Sequence, residues 1–212
     1  MDMKLGACQS KLDSCLAGLA AARFIPRFLA KDHTLWKDDP DHARVVANRM
    51  GWLSVAGDLH ARAGELAAFA DEIRRAGFRH VVLLGMGGSS LGPDVLRQTF
   101  GRRRGYPSLI VLDSTDPAMI SRVNRFINPG STLFIVASKS GSTIESQMFY
   151  QYYAAKVGGD HFAAITDPGT SLERLARERG FRRVFSNPAD IGGRYSVLSY
   201  FGMVPAALCG ID

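Results

Sequence analysis

"TLFIVASKSGSTIE", Thr132 to Glu145, starts as an apolar, β-branched run and breaks at Ser138 into Ser-Lys-Ser-Gly-Ser-Thr before apolar character resumes at Ile144. A short apolar run bounded by turn residues reads as a strand buried on both faces, here followed by a loop and the start of a helix. Four other runs have the same make-up: "HVVLLG" (80–85), "SLIVLD" (108–113), "FAAIT" (162–166) and "RRVFS" (182–186). From Phe78 onward these runs alternate with helix-length segments, the pattern of βαβ units and hence of a parallel sheet covered on both faces. Right-handed crossovers then predict a doubly wound, five-stranded α/β fold. In such a sheet, ligands lie outside the carboxyl ends of the strands, where loops lead into helix N-termini.

The first 75 or so residues differ. Apolar periodicity in "KLDSCLAGLAAARFI", "DPDHARVVANRMGWL" and "DLHARAGELAAFADEIRRAG" predicts helices, and no strand is evident. The expected organisation is a helical extension over 1–75 and an α/β domain over 76–212. The last residues, "VPAALCGID", read as an apolar helix at the end of one piece of something longer.

The chain has 212 residues, 46% of them apolar, which suits one sizeable core. A net charge of +6 with a pI near 9.5 suits anionic small molecules. No basic run is interleaved with stacking aromatics, so nucleic acid is not expected. Cys8, Cys15 and Cys209 are odd in number and lack CxxC spacing, which argues against disulfides and zinc and for a reducing cytoplasm. No apolar stretch reaches the roughly 18 residues of a membrane span. His33, His42, His60, His80 and His161 have no spacing for a metal or a triad; His80 and His161 read as strand-edge residues and the others as solvated helix positions. Phe149, Tyr150, Tyr152 and Tyr153 read as a helix packing face.

Three loops carry the chemistry. In "LLGMGGSSLGPD", Gly85, Gly87 and Gly88 permit a tight turn or close ligand approach, and Ser89 and Ser90 offer hydroxyls and amides at a helix start, a site for an anion. Gly85-x-Gly87-x-x-Ser90, with Asp113 ending the next strand, also approaches a dinucleotide fingerprint, although its third small residue is serine. The second loop, 138–143, sets Ser138, Ser140, Ser142 and Thr143 around Gly141 at another helix start. Freed amides and hydroxyls there make an uncharged cage for a dianionic phosphate, with Lys139 adding charge. Ser142-x-x-Glu145 has capping-box spacing, but a cap needs one hydroxyl rather than four. A dinucleotide enzyme has no need of this second cradle. In the third, "NPADIGGRYSVLS" (187–199), Gly192 and Gly193 allow close approach and Arg194 follows on the same rim. Glu173 and Glu178 read as positions on an ordinary charged helix.

Together, "GMGGSSLGPDVL", "SKSGSTIE" and "GGRYSVLSYFGMVPAALCGID" resemble the three signatures of glucose-6-phosphate isomerase, in order, over roughly Leu53 to the end of the chain. The SxSGxT loop is shared by the wider class of sugar-isomerase (SIS) phosphosugar-binding domains. The resemblance implies a flavodoxin-like three-layer SIS domain, the first of two in that family. It also implies that Ser138, Lys139, Ser140, Thr143 and Ser146 bind the sugar phosphate, that Gly87, Gly88 and Ser89 line the sugar, and that Arg194 stabilises the enediolate. Glucose 6-phosphate and fructose 6-phosphate would be the ligands, with no metal or other cofactor. Many members carry an aromatic at the position of Gly141, so the sequence resembles the glycine-bearing bacterial branch. The stretch "LAKDHTLWKDD...ANRMGWL" is similar to the isomerase portions of bacterial proteins that fuse transaldolase to this enzyme. The family's glutamate base, and the histidine and lysine that assist ring opening, lie in the second domain, beyond Asp212. The resemblance thus implies pairing with that domain or a homodimer, and an isolated chain without turnover. The alternative is a non-catalytic phosphosugar-sensing domain, which has no need of Arg194 or the paired glycines; a dehydrogenase ranks third.

Overall fold

The computed structural model describes residues 5–211. The N-terminal part forms α1 (Gln9–Ala21), α2 (Phe24–Leu29), α3 (Pro40–Ala47), α4 (Val55–His60) and α5 (Ala63–Arg75). There follow β1 (His80–Gly85), α6 (Gly88–Phe100), β2 (Ser108–Leu112), α7 (Pro117–Phe126), β3 (Thr132–Ala137), α8 (Ile144–Ala154), β4 (Phe162–Thr166), α9 (Ser171–Glu178), β5 (Arg183–Ser186) and α10 (Tyr200–Leu208). All five expected strands form, each within a residue of the boundaries that their apolar runs suggest.

The strands make one parallel sheet in the order β2-β1-β3-β4-β5, the flavodoxin-like arrangement. Alternation along each strand divides the core in two. Val81, Leu83, Leu133 and Ile135 face one side, with Leu66, Phe69 and Ile73 of α5 and Phe201, Val204 and Leu208 of α10. Val82, Leu84, Phe134 and Val136 face the other, with Val123 of α7, Phe149 and Tyr153 of α8 and Leu172 of α9. Phe134, fully buried, stacks on Tyr153 with centroids 4.2 Å apart and lies 5.4 Å from Phe162. Burying a side chain of this size contributes about 1.5–3 kcal/mol. Tyr152 is the exposed member of the aromatic cluster on α8.

Leu66, Phe69, Ala70 and Ile73 fall on one stripe of α5, and that stripe is what the sheet covers. The long periodic segment around it is broken at Ala61–Arg62, so that Leu59 of α4 and Leu66 of α5 both reach the same core. Asp39 and Asp116 start α3 and α7 by accepting from the amides of His42 (2.8 Å) and Ala118 (3.1 Å), each followed by proline at the first helical position. By contrast α1 buries none of its residues, and Leu16 and Leu19 stay about half exposed, so its periodicity finds no partner among the described residues. Among the described residues no helix is long and apolar enough to cross a membrane.

Besides the packing of α4 and α5 on the sheet, the N-terminal part is tied to the α/β unit through a contact that the sequence did not indicate. Met50 makes an antiparallel bridge with Ile191, the Gly51 amide donates to the Asp190 carbonyl (2.9 Å), and Trp52 stacks on Tyr195 at 5.5 Å. His161 lies in the turn before β4, its Nδ1 3.1 Å from the Thr132 carbonyl, and His33 in a half-buried 3-10 turn rather than on a solvated helix.

Candidate functional site

The strand order reverses direction between β1 and β3, which opens a crevice outside their carboxyl ends. Gly85 and Ala137 are register partners at those ends, so the glycine loop after β1 and the hydroxyl loop after β3 begin side by side. In the first loop Gly87 takes φ 56° and ψ −120°, accessible only to glycine, and caps α6. The Ser89 amide donates to the Met86 carbonyl (3.1 Å), and the hydroxyl of buried Ser90 to the Gly87 carbonyl (3.0 Å). Ser90 is therefore spent on the turn itself; Gly87, Gly88 and Ser89 remain on the rim.

The hydroxyl loop is internally braced. Ser138 Oγ lies 2.8 Å from Thr143 Oγ1, and Ser140 Oγ 2.9 Å from Ser142 Oγ. Gly141, at φ 68°, presses against Thr170, and its carbonyl accepts from Ser171 Oγ (2.8 Å) and Gln147 Nε2 (3.2 Å). Helix α8 starts one residue later than a Ser142 capping box requires. Its N-cap is Thr143, whose hydroxyl is turned to Ser138 rather than to the helix, and Glu145 sits in the first turn, where it favours the dipole without a capping bond. Among the described residues nothing accepts from the amides of Ile144, Glu145 and Ser146. Ser146 is 1% exposed and its Oγ lacks a partner. The loop thus presents amides and hydroxyls suited to an oxyanion.

A side-chain cap with the box's spacing exists elsewhere: the Glu173 amide donates to Thr170 Oγ1 (3.2 Å), and the Glu173 carboxylate reaches back one residue past the N-cap to accept from the Gly169 amide (2.6 Å), and also from Ser186 Oγ and Arg177. Glu173 is therefore a buried capping group rather than an ordinary charged helix position. These hydrogen bonds, first that of the Gly169 amide, hold its carboxyl below the usual carboxylate range. The spacing Thr170-x-x-Glu173 was the available signal.

Lys139 is engaged away from the hydroxyls. Its ammonium pairs with Asp167 and donates to the Ala189 carbonyl (2.8 Å). The ladder between β3 and β4 continues past both strands, through Ser138 N to Ile165 O (3.0 Å) and Asp167 N to Lys139 O (3.2 Å), which sets Lys139 and Asp167 side by side. Burial pushes the Asp167 carboxyl up, against the opposing pull of Lys139. Sequence reasoning missed Asp167 and Asn187; their signal is position, each following the last residue of a strand.

The third loop closes on the first. A β-carbon on Gly88 would stand 2.1 Å from the Gly193 carbonyl oxygen, and Ser196 Oγ donates to that oxygen (2.7 Å). Arg194 follows in the same 3-10 turn, exposed and without an ion pair among the described residues. The three loops therefore share one rim, with Arg194 the uncommitted cation. A depression of about 510 Å³ is lined by Arg44, Val45, Asn48, Arg49 and Asp190, and another of about 450 Å³ lies between α8 and α9 behind Gly141. Neither is lined by Ser138, Ser140, Thr143 or Arg194, and Ser140 and Ser142 are exposed on the open rim.

Residues 61–212 match the phosphoglucose isomerase family. The chain is 34% identical over 199 residues to the glucose-6-phosphate isomerase of Desulfitobacterium hafniense, covering 82% of this chain and 37% of that protein. It is 38% identical over 216 residues to that of Thermus thermophilus, covering 90% and 48%. The solved glucose-6-phosphate isomerase from Chlamydia trachomatis superposes with a TM-score of 0.62 at 28% identity, over 86% of this chain and 34% of that one. The chain spans less than half the length of these relatives. With its fold, its loop order and the family match in agreement, the chain belongs to the phosphoglucose isomerase family.

Proposed function

We propose that this chain supplies the phosphosugar-binding part of an enzyme that interconverts glucose 6-phosphate and fructose 6-phosphate. The observation that carries this reading is the hydroxyl loop with its unpaired α8 amides at the β1/β3 crevice. Ser138, Ser140, Thr143 and Ser146, with the backbone of the loop from Lys139 onward, hold the phosphate. The ligand's charge strengthens these neutral donors, and the helix dipole adds to them. Anchoring the phosphate converts remote binding energy into orientation at C1 and C2. Gly87, Gly88 and Ser89 line the sugar, whose close approach their missing or small side chains permit. Arg194 then faces the negative charge that develops on the enediolate oxygens.

Moving a proton between C2 and C1 requires a base within hydrogen-bond reach. Asp167 is tied to Lys139 and Glu173 to its cap, while Glu145 lies in the first turn of α8. In this reading the base and the ring-opening groups come from a second domain. Leu91, Val95, Ile144, Met148 and Leu198, all more than 45% exposed around the site's helices, offer that domain an apolar surface. The chain by itself then binds phosphosugar weakly and turns it over negligibly. Titration calorimetry with fructose 6-phosphate tests this, with free fructose and a Ser140→Ala, Thr143→Ala variant as controls. Heat that depends on the phosphate and disappears in the variant is expected; equal heat from fructose, or rapid isomerisation by the pure chain, overturns the reading.

A further inference from the structure

The lysine of the hydroxyl loop is the obvious counter-charge for a phosphate, yet its ammonium is already held on two sides. Asp167 takes one side and the Ala189 carbonyl the other, and the two charged side chains are only 24% and 15% exposed. Ala189 lies on the loop that leads into Gly192, Gly193 and Arg194, so the Lys139 side chain spans from the hydroxyl loop to the arginine loop. Asp167 stands at the end of β4 and Asn187 at the end of β5, its amide donating to the Thr166 carbonyl (2.8 Å). Two oxygens here, Asp167 Oδ1 and Asn187 Oδ1, are buried without a donor among the described residues. A carboxylate kept in such a place is unfavourable in itself, which makes a positional role the physical reason to hold it.

We propose that Asp167 is a positioning residue of the phosphate cradle: through Lys139 and Ala189 it fixes the hydroxyl loop against the arginine loop, and the phosphate is bound by hydroxyls and amides rather than by the lysine's charge. The inference rests on the phosphosugar reading above and adds the residue that sets the distance between its two anion-binding loops. Neutral donors suffice because the unpaired α8 amides supply the positive end of a helix dipole. The ion pair is buried enough to be screened little by salt, so the strut holds under the conditions in which an exposed lysine would exchange partners.

The two roles predict opposite results for one substitution. If Asp167 positions the cradle, Asp167→Asn weakens binding of inorganic phosphate and of fructose 6-phosphate to the full chain by roughly tenfold, the scale at which partners that orient binding groups act. Lys139→Met weakens it similarly, and the double variant loses no more than the worse single one, as coupled residues do. If Asp167 only competes for Lys139, Asp167→Asn releases the ammonium and binding stays equal or tightens, which overturns the proposal. The dependence of affinity on salt gives a second readout, available even where Asp167→Asn fails to fold. It is unchanged in Lys139→Met under the positioning role, and a flatter dependence, meaning a lost direct ion pair with the ligand, overturns it. Absence of phosphate heat in the unsubstituted chain instead overturns the cradle reading itself, and with it this role.

Discussion

Gly88→Ala places a methyl group where the first and third loops meet. Its carbon would lie 2.1 Å from the Gly193 carbonyl oxygen and 2.7 Å from the carbonyl carbon; against the 3.4 Å at which ordinary contact begins, the first is a shortfall of 1.3 Å. Both obstructing atoms are backbone, so no rotamer relieves the clash, and either the first turn of α6 or the Gly193 turn must move. Overpacking of this kind costs about 1–3 kcal/mol. At this chain length each kcal/mol lowers Tm by about 2–4 °C, so a fall of roughly 2–12 °C is expected. Gly193→Ala is the matched control: its β-carbon meets nothing within 4 Å, so its stability should stay within about 0.5 kcal/mol. Urea unfolding followed by circular dichroism measures both, with unchanged m-values confirming that the native and denatured states remain comparable. Since the displacement also carries Arg194 away from the glycine loop, Gly88→Ala should weaken fructose 6-phosphate binding while Gly193→Ala retains it. Equal stability and equal affinity in the two variants would refute the close approach of these loops.

Gly141→Ala combines a φ of 68° with a β-carbon 2.6 Å from Thr170 Cβ; it should destabilise the chain by about 1–3 kcal/mol and reduce phosphate binding, whereas wild-type affinity would mean that the loop does not need its αL turn. A thiol reagent at pH 8 should label Cys8 and Cys15 quickly and Cys209 only on unfolding, because burial pushes the Cys209 thiol up to about 11; three equally fast thiols would contradict the packing of α10. Asp32 is held down to about 2, first by the Thr34 hydroxyl and then by Arg27, from an ordinary value of 3.8. Its folded value lies below its unfolded one, so its contribution is complete above pH 3.8 and is lost as pH falls towards about 2. A carboxyl titration by NMR with its midpoint near 3.8 would show that the Arg27–Asp32–Thr34 contacts do not form in solution.

The strands and the chemistry of the loops were legible in the sequence because both signals are local. A β-branched run such as "TLFIVAS" declares its burial residue by residue, and serines around a glycine at a helix start declare donors for an anion. The rim shared by the three loops followed from the succession of βαβ units, which puts every strand's carboxyl end on one side of the sheet; the order β2-β1-β3-β4-β5 is fixed by which strands pair, and handedness alone leaves it open. What the sequence could not decide were pairings set by position across the sheet. Lys139 meets Asp167 only because β3 and β4 continue their ladder past the strand ends, 28 residues apart in the chain. Helix α8 is capped at Thr143 rather than Ser142, and the Ser138 hydroxyl at the end of a buried strand holds the Thr143 hydroxyl away from the helix amides, while Thr170 caps α9 with Glu173 reaching back beside it. The apolar spacing of α1 promised a buried face that no described neighbour covers, whereas the same spacing in α5 meets the sheet. Periodicity states which side of a helix is apolar; whether a partner lies there is fixed by the tertiary arrangement, through contacts that no single segment contains.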